Sequence, residues 1–249
     1  MNTGVRRPRR NRDADWDRWP VQAYLAENYR ELHPADAAVI RHHSAAYRAL
    51  AAGSVDRSLE VGSGPNLYPL LLAGAASRRI DAVETSASGI AYLRDQLARG
   101  PDESWRAFYD LCRTLNPDLP PTPAEALAGV RVVHADLRDL PAGRYGLASM
   151  SFVAESVTEA FDEFADICRR FAASVRPGGL LLAAFMENMP SYRLGEGPEW
   201  PGCPVDRAAV REVFAPLTDG LRITRIDSDP TLPDYGDSGM LLLRAERRG

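Results

Sequence analysis

The 249-residue chain contains no lysine: all thirty of its basic residues are arginine. A lysine general base and a Schiff-base lysine are thereby excluded. Cysteine is scarce, and Cys112, Cys168 and Cys203 are far apart without a Cys-x-x-Cys pair. That pattern argues against a disulfide framework or a structural metal and leaves buried thiols in a reducing compartment as the expectation. Histidine numbers four, and the adjacent pair His42-His43 would project about 100° apart on a helix with no third ligand in register, so no metal site is expected. No run of about 18 apolar residues occurs, and the N-terminal segment lacks the apolar core of a signal peptide, so a soluble, cytoplasmic protein with no membrane partner is expected. Excess positive charge is missing as well. At a net charge of −4 the chain has no global field to concentrate nucleic acid, which is therefore not an expected partner. The local exception, Arg6-Arg7-Pro8-Arg9-Arg10-Asn11-Arg12, has no apolar periodicity and predicts a solvated, disordered tail over residues 1–20.

What is present is an alternation of short apolar runs with helical patterns. A hydrophobic content of 45% is enough for one full core, and residues 21–249 are expected to form a single domain. Strand signals fall at residues 58–61, 80–84, 130–134, 146–152, 180–186, 221–227 and 240–245. Helical patterns at 67–75, 89–97, 157–175 and 206–215 separate most of them, which predicts an α/β three-layer sandwich around a mostly parallel seven-stranded sheet. The last two strands are joined by residues 228–238, too short for a crossover, so the last strand should run antiparallel. Ahead of the sheet, residues 21–50 read as one or two helices broken at Pro34, a candidate N-terminal lid. Residues 100–129, after the second strand, are too long for an ordinary connection and predict an insertion over the ligand edge of the sheet.

The most informative stretch is Ser58-Leu59-Glu60-Val61-Gly62-Ser63-Gly64-Pro65-Asn66-Leu67-Tyr68. An apolar strand that ends in an acid and a Gly-x-Gly turn presents bare backbone to a nucleotide-like ligand, because Gly62 and Gly64 can take positive φ and carry no Cβ. Such turns also bind NAD and FAD. A dinucleotide fingerprint needs a third glycine where this chain has Leu67, and a helix N-terminus facing a pyrophosphate. S-adenosylmethionine carries no phosphate and needs no such helix end. It is the expected cofactor, with an NAD-dependent oxidoreductase as the alternative. Glu60 is positioned for the ligand's amino group, Glu84 at the end of the second strand for ribose hydroxyls, and Asp136 with Leu137 after the third strand for the adenine edge.

In matching order from about Val21 to the C-terminus, several motifs resemble the nicotinamide, phenylethanolamine and thioether/indolethylamine methyltransferases. They are Tyr24-Leu25 with Tyr29, the Gly-Ser-Gly-Pro loop followed by Tyr68, Trp105 in the insertion, Arg176-Pro177-Gly178-Gly179-Leu180, and Pro190-Ser191-Tyr192-Arg193-Leu194-Gly195. That family is class I S-adenosylmethionine-dependent, with a Rossmann-like fold, and acts on small amines, N-heterocycles or thioethers. The resemblance implies that Tyr24 and Tyr29 close over the cofactor, that Gly62, Ser63 and Tyr68 hold its methionine end, that Glu84 binds ribose and that Asp136 and Leu137 border adenine. Gly89 and Asn28 depart from it, standing where a polar residue and an aromatic are usual.

Methyl transfer from a sulfonium is an in-line displacement from an activated donor, so the protein has chiefly to align the reactants in a water-poor pocket. Glu155, Glu187, Tyr192, Tyr235 and Asp237, at strand ends or in flanking loops, are the candidate substrate-side residues. The expected function is methylation of a nitrogen of a small molecule by a monomer or weak homodimer, in natural-product biosynthesis. Methylation of sulfur or oxygen, and a cofactor-binding protein without catalysis, are the other readings.

Overall fold

The computed structural model describes residues 6–249. Two 3-10 turns (Asn11–Asp13 and Trp16–Arg18) precede α1 (Val21–Asn28) and α2 (Pro34–Tyr47). Pro34 sits at the start of α2, where its fixed φ suits a first helical turn, which explains the break between the two helices. The chain continues through β1 (Ser58–Val61), α3 (Tyr68–Ala73), β2 (Ile80–Glu84), α4 (Ala87–Arg99), α5 (Arg106–Leu115), α6 (Pro123–Ala126), β3 (Val130–His134) and β4 (Tyr145–Ser151). It ends with α7 (Phe161–Ser174), β5 (Val175–Glu187), a small hairpin of β6 (Tyr192–Arg193) and β7 (Glu199–Trp200), α8 (Arg207–Phe214), β8 (Thr218–Asp227) and β9 (Gly239–Arg247). Side chains cap the helix starts: Ser86 accepts from the Gly89 amide in α4, and Asp206 from the Ala209 amide in α8.

Seven strands form one sheet in the order β3-β2-β1-β4-β5-β9-β8. All neighbours are parallel except at β9, which runs antiparallel to both β5 and β8. This is the Rossmann-like sheet of class I methyltransferases, with the antiparallel last strand that the short 228–238 connection predicts. Alternation along β5 divides the core. Leu182 and Ala184 join the layer that contains α2, α3 and α5, whereas Leu181, Ala183 and Phe185 join the layer of α7 and α8. Arg176-Pro177-Gly178-Gly179 is a loop-out inside β5, since Tyr145 pairs with Val175 but Leu147 with Leu180. A Cβ at Gly179 would stand 2.7 Å from the Gly146 carbonyl oxygen, so the backbones meet there only because glycine is present.

Three expectations need correction. Residues 6–20 are not a solvated tail. The Arg9 amide and its Nε donate to the two oxygens of Glu159 at 2.8 and 2.7 Å, Arg10 pairs with Asp162 at 2.7 Å, and Trp16 stacks on Trp200 with centroids 5.1 Å apart. Composition misjudged the segment because its partners are supplied by a remote part of the chain; residues 1–5 lie outside the described residues. Second, α7 begins at Phe161, not at 157, because Glu159 gives its amide to the Arg9 carbonyl and its carboxylate to the arginines. Third, the insertion does not cover the ligand edge. Trp105 and Phe108 are fully buried against Tyr29 in the layer of α2 and α3. Among the described residues, no helix is long and apolar enough to cross a membrane, and no group of three or more His, Cys, Asp or Glu is placed to hold a metal ion.

Phe185 is fully buried, with ring centroids 5.9 Å from Phe164 of α7 and 6.2 Å from Phe214 of α8. Phe185→Ala is expected to cost roughly 3–5 kcal/mol in urea unfolding, the usual range for a truncated core phenylalanine. A loss below about 1 kcal/mol would contradict its place at the centre of this layer.

Candidate active site

Strand order reverses between β1 and β4, where the loops leaving the strand ends diverge and open α/β sheets bind their ligands. A cleft of about 760 Å³ lies there, within the range of small-molecule sites. Its walls are the loops after β1, β2, β3 and β4, together with Trp16 and Trp19 of the N-terminal segment.

Gly62 and Gly64 hold φ of +59° and +50°, the left-handed region. A Cβ at Gly62 would come within 2.8 Å of both Val153 methyls, and one at Gly64 would meet only the Gly62 carbonyl at 3.8 Å. Between them the Ser63 hydroxyl is buried without a hydrogen-bond partner, on the wall of the cleft. Glu84 fixes this loop. Its Oε2 accepts from the Gly64 amide at 2.8 Å, and its Oε1 from the Thr85 and Ser86 amides at 2.7 Å each. A carboxylate has about four acceptor positions. Three are taken, so one position on Oε2 remains for a ligand rather than the two-oxygen grip on ribose expected from sequence. Gly89 also acquires a reason: a Cβ there would stand 3.3 Å from the Glu84 Cγ.

Asp136 and Leu137 line the cleft at the end of β3. Asp136 caps the 3-10 turn Leu137–Asp139 and is held by Arg138 through the amide, Nε and Nη2 at 2.8, 2.9 and 2.6 Å, which keeps its carboxyl below the usual value. Tyr24 lines the cleft, but Tyr29 does not; it reaches the cleft through Asn66, whose Nδ2 donates to its hydroxyl at 3.1 Å. Glu60 is not on the cleft. β1 is alternate in its side chains, so Glu60 points away from Leu59 and Val61 and hydrogen-bonds Ser149 inside the sheet layer, where burial lifts its carboxyl to about 8. Tyr68 is also buried away from the cleft, stacked on Phe108 with centroids 6.0 Å apart.

A second cavity of about 390 Å³ adjoins the first, and Trp19, Tyr24, Phe152, Ser156 and Tyr192 line both. Phe152 has φ of +60°, a conformation costly for a bulky residue, at the junction of the two spaces. Tyr192, Tyr235 and Asp237 line the second cavity. The Tyr235 hydroxyl accepts from Asn28 Nδ2 at 2.9 Å and donates to Glu27 at 3.2 Å, which gives Asn28 its role. Asp237 is raised above its ordinary value by burial.

Glu155 and Glu187 line neither cavity. Glu155 is fully buried, accepts from the Met186 amide at 2.8 Å and lies close enough to Cys168 and Cys203 to raise both thiols, while burial lifts its own carboxyl to about 8. Glu187 accepts from Arg225 Nε at 2.6 Å and from the Ser238 hydroxyl at 2.8 Å, tying β5 to the β8–β9 hairpin. Both are strand-end acids drawn inward by packing. Sequence reasoning missed Trp19, Asn66, Phe152 and Asp36, which lines the second cavity from the first turn of α2. Acids are common in first helical turns, so the pattern gave Asp36 no distinguishing signal.

This architecture is the fold of class I S-adenosylmethionine-dependent methyltransferases. The N-methyltransferase NodS from Bradyrhizobium japonicum WM9, solved with S-adenosyl-L-homocysteine, superposes with a TM-score of 0.59 at 12% identity, over 94% of this chain and 100% of that one. A chain of the Haloferax volcanii complex between the Trm112 methyltransferase activator and a methyltransferase gives 0.57 at 14% identity, over 94% and 96%. The complex of DhpI with SAM and HEP gives 0.51 at 15% identity, over 95% and 92%. No protein-family model matches the sequence, and no curated protein matches it.

The N-terminal segment depends on one acid. Burial alone would raise the Glu159 carboxyl, but bonds from the Arg9 amide, the Arg9 side chain, Ser191 and Arg6 outweigh it and hold the group at about 2. A depressed value means that the clamp is present above the ordinary carboxylate range and is lost only as pH falls toward 2. Glu159→Gln should therefore free the segment at pH 8, read as several-fold faster trypsin cleavage after Arg10 and Arg12. An unchanged cleavage rate would show that the Arg10–Asp162 pair, the Asn11–Glu163 bond and the tryptophan stack hold it without Glu159.

Proposed function

We propose that the chain is an S-adenosylmethionine-dependent methyltransferase that methylates a nitrogen of a small molecule. The observation that carries this reading is the pair of adjoining cavities at the ligand edge of a class I methyltransferase sheet, divided only by a shared aromatic wall. One has a bare glycine loop, an unpartnered serine hydroxyl and a spare carboxylate position; the other is aromatic and acidic.

Bound S-adenosylmethionine supplies a methyl group on a sulfonium, open to in-line displacement. In the cleft, the Gly62-Ser63-Gly64 loop receives its methionine end, the free position on Glu84 takes one ribose hydroxyl, and Leu137 with the outer edge of Asp136 borders adenine. Tyr24 and Trp19 cover the junction, with Tyr29 positioning Tyr24 through a hydroxyl contact of 3.2 Å. On the acceptor side, Tyr192, Tyr235 and Asp237 orient the nucleophile and exclude water. A neutral nitrogen that takes up a methyl becomes cationic, and aromatic faces with a nearby carboxylate stabilise that charge. A phenol would instead require a base at the junction, where the lining residues are Trp19, Tyr24, Phe152, Ser156 and Tyr192 and none is a carboxylate. The motif resemblance and the N-methyltransferase NodS support the same choice. A cytoplasmic protein acting as a monomer or weak homodimer completes the proposal.

Calorimetry with S-adenosylhomocysteine is expected to show binding, and NADH none. Glu84→Ala should weaken S-adenosylhomocysteine by about 2 kcal/mol, about thirtyfold, through loss of a charge-assisted bond and release of the Gly64 loop. Transfer of labelled methyl to a panel of amines, thioethers and phenols, with mass detection, should favour amines. Tight NADH binding without S-adenosylhomocysteine binding would replace the proposal with an oxidoreductase.

A further inference from the structure

Asp36 is 3% exposed, lines the second cavity and has an Oδ2 with no hydrogen-bond partner. Among the described residues no arginine pairs with it. Burying a carboxyl without a partner is costly, and one that also faces a cavity marks a position where a ligand supplies what the protein does not. The buried Tyr68 hydroxyl, itself outside hydrogen-bond geometry with any group, is the one protein donor near enough to favour the charged form of Asp36, and burial outweighs it. Asp36 lines only the second cavity, not the junction shared with the cofactor cleft. A group bound to it is therefore set back from the atom that receives the methyl.

We propose that Asp36 anchors a cationic nitrogen group of the methyl acceptor, set apart from the nitrogen that is methylated, so that the acceptor is a small aromatic base with two nitrogen functions. This rests on the reading of the second cavity as the acceptor pocket. The aromatic rings of Tyr24, Phe152, Tyr192 and Tyr235 fit a flat body between the two ends, and Asp229, Asp234 and Asp237 on the same cavity bias it toward cations.

The groups that face Asp36 are Tyr24 of α1, Tyr29 just after it, Tyr68 of α3 and Asp229 of the β8–β9 connection. Burial, and then the charge of Asp229, raises its carboxyl to about 8. At pH 7 the carboxyl of the free pocket is therefore protonated. A cation that binds draws off that proton to solvent and leaves an ammonium or amidinium paired with a carboxylate. Affinity should rise with pH until the carboxyl is ionised without help, and then level off.

Benzamidine is the probe, with benzamide as its neutral counterpart, titrated by calorimetry with and without saturating S-adenosylhomocysteine. Benzamidine should bind at least about tenfold more tightly than benzamide, release close to one proton at pH 7 in a comparison of two buffers, and gain affinity from pH 6 to about 8. Asp36→Asn should lose that tenfold preference and the proton release while keeping S-adenosylhomocysteine affinity, which also reports that it is folded. Equal binding of the two probes, or an Asp36→Asn variant that still discriminates, overturns the anchor. If Asp36→Asn fails to fold, Asp237→Asn decides: retained proton release supports Asp36, and its loss assigns the cation to Asp237. Discrimination without S-adenosylhomocysteine binding would keep the anchor and remove the methyltransferase reading, whereas the reverse result would do the opposite.

Discussion

The site depends on one carboxylate. Glu84 gathers the amides of Gly64, Thr85 and Ser86, and so joins the loop after β1 to the loop after β2 across the edge of the sheet. Without that acceptor, three backbone donors at the mouth of a cleft would have to find water, and Gly64 at positive φ would lose the bond of its amide. The acid is thus the frame of the cleft, and it keeps one acceptor position free on Oε2. Absence of a side chain at Gly89 is the complementary constraint, since a Cβ would press on the Glu84 stem.

A second clamp works at longer range. Glu159 holds Arg6 and Arg9 from more than a hundred residues away in sequence, and Trp16 and Trp19 are thereby placed against Trp200 and the cleft. Both clamps are carboxylates that accept several donors, one backbone and one guanidinium. The backbone clamp is rigid because its donors are fixed by the strands. The arginine clamp is made by long, partly exposed side chains and is the weaker of the two.

The sheet was legible in the sequence because its strands are short apolar runs ended by turn residues, and because the 228–238 link is too short to cross over. That Glu84, Gly62, Gly64 and Asp136 line the cleft was legible for the same reason: strand ends project into a cleft whatever the rest of the chain does. Glu60 was misread since one step along a strand reverses the face, and the pattern of acid, Val and Gly does not say which face is open. Glu155 and Glu187 failed similarly, for a strand-end acid can turn inward to a free amide or to Arg225 as readily as toward a ligand. Residues 6–20 and Asp36 were invisible to local reasoning because their meaning lies wholly in distant partners, or in the lack of one.

Asp36, Glu60 and Glu155 make the last point together. Burial lifts all three carboxyls to about 8, so titration alone does not tell them apart. Each is neutral in the folded chain and ionised in the unfolded chain over the range from the ordinary carboxylate value to about 8, so each costs stability increasingly as pH rises through that range. Glu60 offsets part of the cost through Ser149, and Glu155 through the Met186 amide. Neither lines a cavity, although Glu155 too keeps one oxygen without a partner. Asp36 has only the neighbouring Tyr68 hydroxyl to offset it inside the protein, and it lines a cavity. What sets Asp36 apart from the other two is that it lines a cavity, and that is a property of α2 packing beside the β8–β9 connection rather than of any motif.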